Sequence, residues 1–136
     1  MIIYIDENMS EYLAEGLDLL QKPLNQKLRD QIEVKSIKKI FGQGAKDEDW
    51  IPIAGEQGAC VITQDYNIKK TRHQRELYEQ FELGIFFLIP PSKKGFSYWD
   101  MVKLLTKHWE GITNKALTES RPFAYKVSSR GRLENI

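Results

Sequence analysis

Carboxylate side chains follow two short apolar runs of the sequence, at points where a strand is expected to end. Asp6 closes the run Ile2–Ile5, and Asp65 follows shortly after the run Cys60–Thr63. Ligands of open parallel sheets sit beyond the carboxyl ends of the strands, so the two aspartates should converge if their strands are neighbours. A buried strand that runs directly into a carboxylate is costly unless that carboxylate has a partner. The spacing therefore predicts a site that contains Asp6 at one edge of a sheet.

A third acidic cluster, KDEDW, stands where a helix is expected to begin, and it supplies Asp47, Glu48 and Asp49. Clustered carboxylates repel one another unless they are protonated or neutralised by a cation. No set of histidine or cysteine ligands accompanies them, and an all-oxygen site favours Mg²⁺ or Mn²⁺ over zinc. Such ions polarise a phosphoryl oxygen and activate a bound water, so the chemistry indicated is phosphodiester hydrolysis.

Two of these aspartates also have a purely structural interpretation. Asp47 could be only the N-cap of its helix. Asp65, in TQDYN, could be only a turn residue whose side chain bonds the nearby backbone. Asp6 is harder to explain in this way because the strand before it is expected to be buried.

A basic stretch, NIKKTRHQRELYE, follows Asp65 directly and is expected to be helical over residues 69–81. Lysine and arginine side chains hold nucleic-acid backbones. The candidate contacts to substrate phosphates are therefore Lys69, Lys70, Arg72 and Arg75. The alternative is a solvated helix face on which Arg75 and Glu79 form an i,i+4 ion pair.

The composition of the chain restricts the class of protein but does not indicate a partner. The chain of 136 residues fits one domain spanning 1–136, and its formal net charge of +1 does not by itself indicate nucleic-acid binding. Its single cysteine, Cys60, cannot form an internal disulfide, which suits a reducing compartment. No apolar run approaches the roughly 20 residues needed to cross a bilayer. We expect a soluble, cytoplasmic protein.

Apolar runs and breakers predict strands that alternate with helices. Strands are expected at residues 2–5, 32–37, 60–63 and 84–89, with an edge strand at 123–127 before a basic, polar tail. Helices are expected from Asn8 or Ser10 to about Pro23, at 47–57 and 69–81, and from Ser97 onward. The alternation predicts an α/β domain with a mostly parallel sheet.

Helical spacing also predicts which side chains face the core. The first helix is expected to bury Tyr12, Leu13, Leu17 and Leu20. The last long helix carries an apolar stripe that is typical of core: Trp99, Met101, Val102, Leu104, Leu105 and Trp109. Cys60 and His108 are expected to be structural.

The segments IIYIDENMSEYLAEGL and KDEDWIPIAGEQGACVITQDYNI resemble the PIN-like nucleases, especially the compact branch related to the toxins of toxin–antitoxin pairs. The resemblance covers about residues 1–90. It matches Asp6, Asp47 and Asp65 to the acidic positions of the family, with Ala54 at the corresponding spacing from Asp47. It implies a three-layer α/β/α sandwich, with a core at about 1–90 and a C-terminal helix and edge strand at about 96–128.

The same resemblance implies function. Active members are metal-dependent endoribonucleases, and toxin members pair with a small antitoxin protein and often form homodimers. Many members carry a further glutamate before the position of Asp47, for which Glu7, Glu33, Glu48 and Asp49 are candidates here, with Glu48 and Asp49 favoured by proximity. Asn67 stands where the family has another acid.

These observations predict a Mg²⁺- or Mn²⁺-dependent ribonuclease. Asp6, Asp47 and Asp65 are the expected catalytic metal ligands, and Glu48 or Asp49 is expected to orient water or a second ion. One alternative is a catalytically silent PIN-like module that binds RNA or a protein, which Asn67 would favour. Another is a receiver-like domain that accepts phosphate on Asp65. Such domains usually carry a lysine at the end of a late strand, whereas Lys93 and Lys94 here follow that strand only after two prolines.

Overall fold

The computed structural model describes residues 1–64 and 68–136, and its account of side chains leaves out residues 68–71. Its strands are β1 (Ile2–Ile5), β2 (Glu33–Ser36), β3 (Cys60–Thr63), β4 (Gly84–Leu88), β5 (Phe123–Val127) and β6 (Glu134–Asn135). Its helices are α1 (Glu11–Asn25), α2 (Ile37–Phe41), α3 (Asp47–Glu56), α4 (Ile68–Gln80) and α5 (Tyr98–Thr118).

All these strands belong to one sheet with the spatial order β2-β1-β3-β4-β5-β6. Neighbours pair in parallel from β2 through β5, and β6 alone runs antiparallel, beside β5. The chain passes from β1 to β2 on one side and then crosses to β3 on the other side of β1. The strand order therefore reverses between β1 and β3, and such a switch point is where α/β sheets bind their ligands.

Helices cover both faces of the sheet, and each layer buries its own apolar cluster. One cluster joins α1 and α5 to side chains such as Ile5 and Phe86. The other cluster joins α2, α3 and α4 to side chains such as Tyr4 and Phe87. Because the central strands are covered on both faces, β3 and β4 are buried along their whole length, and all their residues but Thr63 are non-polar. The predicted three-layer α/β/α class with a mostly parallel sheet is confirmed.

Short polar side chains begin several of the helices at the predicted places. The Ser10 hydroxyl accepts a hydrogen bond from the Tyr12 backbone N–H at 3.2 Å and caps α1. Ser97 and Asp100 bond each other's backbone N–H groups and form a capping box at the start of α5. Helix α1 ends two residues beyond Pro23. None of the helices within the described residues is both long and apolar enough to cross a membrane.

The predicted inner faces are wrong at three positions. Tyr12 and Leu20 are 65% and 62% exposed, because the buried stripe of α1 runs through Leu13, Leu17 and Gln21 instead. Gln21 replaces Leu20 in that stripe because its Oε1 accepts a hydrogen bond from the Trp109 indole at 2.8 Å. Trp99 is 67% exposed because it lies in the first turn of α5, before the buried stripe begins at Met101.

Two predicted strand assignments also need correction. The second strand ends at Ser36 rather than residue 37, because the Ser36 hydroxyl accepts a hydrogen bond from Lys39 N–H and caps the short helix α2. The strand β5 is not an edge strand, because the tail returns as β6 and pairs with it. The Ile136 backbone N–H extends this pairing by donating to the Ala124 carbonyl at 3.0 Å.

Candidate functional site

Asp6 lies directly after β1, at the reversal of strand order. Its backbone N–H donates to the Ile62 carbonyl at 3.0 Å, which continues the pairing with β3 by one residue. Its side chain is oriented by two donors, since Oδ2 accepts from Thr63 Oγ1 and Oδ1 from the Glu7 backbone N–H, each at 2.8 Å. Asp6 is only 8% exposed. The fold therefore holds a buried carboxylate in a defined orientation across the β1–β3 switch point.

Burial raises the pKa of the Asp6 carboxyl above its ordinary value. The hydrogen bonds from Thr63 and Glu7 lower the pKa but do not offset the burial, and the negative charges of Asp47 and Glu7 raise it further. The ionised form of Asp6 is therefore incompletely compensated by the protein. A cation beside this carboxylate would supply the missing compensation.

Asp47 is the first residue of α3, and the alternative that it serves as the N-cap is wrong, because Lys46 occupies that position. The Asp47 carboxylate receives two side-chain donors at 3.2 Å, the Trp50 indole on Oδ1 and the Gln74 amide on Oδ2. Its negative charge also suits the first turn of a helix. Asp47 is thus held by a buried tryptophan of its own helix and by a buried glutamine of α4.

Asp6 and Asp47 line one cavity of about 210 Å³, where the end of β1 meets the start of α3. Of the described residues that line it, four are acidic and one is basic: Asp6, Glu7, Asp47, Glu48 and Lys46. The rest of its lining consists of Asn8, Ala45, Trp50 and Gln74. The excess of carboxylates gives this cavity a negative potential, which favours a bound cation.

Two further acidic side chains of the cavity are tied to neighbouring elements. Glu48 Oε1 lies 3.2 Å from His73 Nε2, which links the first turn of α3 to α4. The pKa of Glu48 is lowered, first by its own backbone N–H and then by the His73 ring. Glu7 Oε2 accepts a hydrogen bond from the Gly44 N–H at 2.9 Å. Both carboxylates therefore have fixed partners at the rim of the cavity.

The remaining predicted site residues lie in different places. Asp49 is exposed and does not belong to the cavity lining. Asp65 lies outside the described residues, as do the side chains of Lys69 and Lys70. Arg72 is exposed, and Arg75 Nε lies 4.0 Å from Glu79 Oε1, so the i,i+4 ion pair is formed.

The donor chemistry of the cavity fits a hard divalent cation. Within residues 1–64 and 68–136, no three side chains of histidine, cysteine, aspartate or glutamate stand close enough together to hold a metal ion. Those residues do bring the Asp6 and Asp47 carboxylates to one cavity. The third predicted ligand, Asp65, follows β3, the strand that pairs with β1. Carboxylate oxygens without nitrogen or sulfur ligands suit Mg²⁺ or Mn²⁺.

Sequence reasoning missed Gln74, which lies within the stretch interpreted as basic and solvated. Gln74 is 5% exposed and bonds Asp47, whereas its neighbours Arg72 and His73 are exposed. The available signal was its spacing of four residues from Tyr78, which is also buried, because residues at i and i+4 share a helix face.

Comparison with known proteins agrees with this fold. The family model described as "PIN like domain" matches residues 1–89, which run from β1 through β4. The chain therefore belongs to the PIN-like domain family. No curated protein and no solved structure matches the chain significantly.

Proposed function

We propose that this protein is an endoribonuclease that depends on Mg²⁺ or Mn²⁺ and hydrolyses RNA phosphodiester bonds. The observation that carries the proposal is the acidic cavity at the β1–β3 switch point, onto which both Asp6 and Asp47 open. Membership of the PIN-like family supports nuclease chemistry of this general kind. Buried and clustered carboxylates that are costly to maintain are typical of functional sites.

In the proposed site, Asp6, Asp47 and Asp65 hold the cation. The cation, when bound, supplies Lewis-acid polarisation of a phosphoryl oxygen and activation of water. The protein's own contribution is to hold the ligands rigidly, because Thr63 fixes Asp6 while Trp50 and Gln74 fix Asp47.

Glu48 is the proposed residue that orients the attacking water. Its own backbone N–H and the His73 ring lower the pKa of its carboxyl, so the carboxylate is ionised and can accept a hydrogen bond from that water. It lines the cavity beside Asp47, where such a water would lie. Asp49 is exposed and is not among the residues that line the cavity, so we assign it no role in this proposal.

The proposed substrate contacts are the cations of α4, namely Lys69, Lys70, Arg72 and Arg75. Helix α4 reaches the cavity at two adjacent positions, through the contact of His73 with Glu48 and of Gln74 with Asp47. A phosphate backbone that lies along this helix would therefore pass the carboxylates. Such contacts position RNA without reading its sequence.

Cleavage of end-labelled single-stranded RNA, with Mn²⁺, with Mg²⁺ and with EDTA, tests the proposal. Asp47→Asn should lower the cleavage rate by more than the ~10–100-fold that is typical when a residue that only supports a metal ligand is replaced. Asp49→Asn, two residues along the same helix turn, is the matched control and should keep its rate within about twofold, as is usual for surface substitutions. Cleavage that persists in EDTA, or an Asp47→Asn rate equal to that of the parent, would contradict the proposal.

The second candidate is a catalytically silent PIN-like module that binds RNA. It is favoured by the lack of a three-acid group within the described part of the chain and by Asn67 in place of an acid. The same assay separates the two candidates, because a silent module would cleave RNA under no metal condition. Fluorescence anisotropy in EDTA would then show whether that module still binds RNA.

The resemblance to toxins extends the proposal to partners, namely a small antitoxin protein and a homodimer. Induced expression of the chain should then slow growth, while Asp6→Asn expressed to the same level should not. Growth arrest by both proteins would contradict a toxin role that depends on this site.

A further inference from the structure

The side-chain amide of Gln74 has a fixed orientation. Its Nε2 lies 3.2 Å from Asp47 Oδ2, and an ionised carboxylate only accepts hydrogen bonds. The reversed amide would place two acceptors against each other. Gln74 Oε1 must therefore be the atom turned away from that carboxylate oxygen.

Gln74 Oε1 has no hydrogen-bond partner among the described residues. Gln74 is 5% exposed, and among the residues that the structure describes no donor satisfies its buried Oε1. Native proteins rarely leave a buried acceptor unpaired, because such an acceptor loses its bonds to water without replacement. An orphaned acceptor at this position therefore needs an explanation.

The other buried glutamine shows what a purely structural role looks like. Gln21 is 1% exposed, and both ends of its amide are paired. Its Nε2 donates to Asn25 Oδ1 at 3.1 Å, and its Oε1 accepts from Trp109 Nε1 at 2.8 Å. Gln74 differs in two ways. Only the Nε2 end of its amide has a hydrogen-bond partner among the described residues, and the residue lines the acidic cavity.

A divalent cation brings with it the donor that Gln74 lacks. Water bound to a cation directs its oxygen at the ion and presents its hydrogens outward, so it needs acceptors around it. Mg²⁺ in particular keeps several waters when it binds to protein carboxylates. Groups that bond ligands and waters from outside the coordination shell fix their orientation and raise affinity.

We propose that Gln74 is a positioning residue of the cation site. Its Nε2 holds the Asp47 carboxylate in place, and its Oε1 accepts a hydrogen bond from a water bound to the cation. This role of Gln74 rests on the cation dependence proposed above. It assigns to α4 a function in building the site in addition to contacting RNA.

Mn²⁺ titration, followed by the electron paramagnetic resonance signal of the free ion, tests this role without any measurement of activity. Gln74→Met keeps the size of the side chain but removes both polar ends, and it should weaken Mn²⁺ binding by ~10–100-fold. Gln21→Met is the matched control, because it also disrupts a buried amide but lies on α1. It should leave Mn²⁺ affinity within about twofold, whatever its effect on thermal stability.

Gln74→Glu provides the second variant, because it keeps an acceptor oxygen at the same reach. It should bind Mn²⁺ more tightly than Gln74→Met. Thermal unfolding in EDTA establishes that each variant is folded, and Gln74→Leu, which also lacks both polar ends, replaces Gln74→Met if the latter does not fold.

The outcomes separate the two levels of inference. If the parent binds Mn²⁺ and Gln74→Met binds it equally well, Gln74 is merely structural and the positioning role is overturned. If Gln74→Glu and Gln74→Met lose affinity equally, the acceptor role of Oε1 is overturned. If the folded parent itself binds no Mn²⁺, the proposed cation dependence fails, and the role of Gln74 fails with it.

Discussion

Asp6 places a buried side chain at a strand end that an apolar or uncharged residue could have occupied. Thr63 and the Glu7 backbone satisfy one hydrogen bond on each oxygen, yet burial still raises the pKa of the carboxyl. The nearby charge of Asp47 adds to the cost of ionisation. Without a cation, the ionised Asp6 carboxylate therefore lowers the free energy of unfolding, and a bound cation would offset this loss.

The first prediction concerns the pH dependence of stability in EDTA. The folded pKa of Asp6 lies above the unfolded value of about 3.9. The folded state therefore binds the Asp6 proton more tightly than the unfolded state does. The stability that this bound proton contributes is lost as the pH rises from the unfolded pKa through the folded pKa. Asp6→Asn cannot ionise at this position. Its free energy of unfolding should therefore increase relative to that of the parent as the pH rises through this window.

Thermal unfolding from about pH 3 to about pH 7 checks the sign. We expect the difference in melting temperature, Asp6→Asn minus parent, to increase as the pH rises. A difference that is constant or that decreases over this range would show that Asp6 is not strained by burial.

At the scale of the elements, α3 and α4 must keep a fixed separation for Asp47 to meet Gln74. Gly55 in α3 sets part of that separation, because a Cβ at this residue would lie 2.4 Å from the Phe81 carbonyl oxygen, just beyond the end of α4. A backbone atom cannot move aside as a side chain can. The close contact therefore requires glycine.

The second prediction compares two glycine substitutions. Gly55→Ala should lower the free energy of unfolding by ~1–3 kcal/mol, the usual cost of overpacking. Gly16→Ala, in α1, meets nothing within 4 Å and should raise it by ~0.5–1 kcal/mol through helix propensity. Urea denaturation of both variants measures the difference. Equal effects at the two positions would show that α3 and α4 can separate without cost.

The third prediction concerns the exposed Arg72 of α4. Arg72→Gln should weaken RNA binding uniformly across sequences and lower the salt dependence of log Kd by about 1, as expected for loss of one phosphate contact. Arg29→Gln is the control, because Arg29 is also exposed but precedes β2, at the amino end of a strand, whereas the cavity lies beyond the carboxyl end of β1. Fluorescence anisotropy in EDTA measures binding without cleavage. Equal loss in both variants would indicate non-specific attraction rather than a binding helix.

How far the sequence predicted these features depends on whether the cause is local. Strands β1, β3 and β4 were found within a residue, because burial on both faces leaves uninterrupted apolar runs. The position of Asp6 directly after β1 was predicted because Asp6 ends such a run. The short helix α2 was missed because its cap, Ser36, also reads as the end of a strand.

The parts that were missed depend on contacts between distant segments. The burial of Gln21 in place of Leu20 follows from the indole of Trp109 on α5. The partnership of Gln74 with Asp47 joins two helices across 27 positions of the chain. The i,i+4 spacing of Gln74 from Tyr78 indicates a buried position, but local periodicity carries no information about a partner on another helix.

For the molecule as a whole, the near-neutral charge of +1 hides a strong local asymmetry. The parallel order of the sheet brings the end of β1 to the reversal point, and the acidic cavity opens there. Helix α4, whose sequence is rich in lysine and arginine, follows β3 and so begins near the same edge. The proposed cation site and the proposed phosphate-binding surface would therefore be adjacent, which is the arrangement that hydrolysis of a polyanion needs.

The most direct test of that arrangement uses circular single-stranded RNA, which has no ends for an exonuclease. The purified chain should linearise it in Mn²⁺ and leave it intact in EDTA, and Asp6→Asn should leave it intact in both. Failure of the parent to cut the circle under any metal condition would contradict a metal-dependent endoribonuclease, and so would equal cutting by Asp6→Asn.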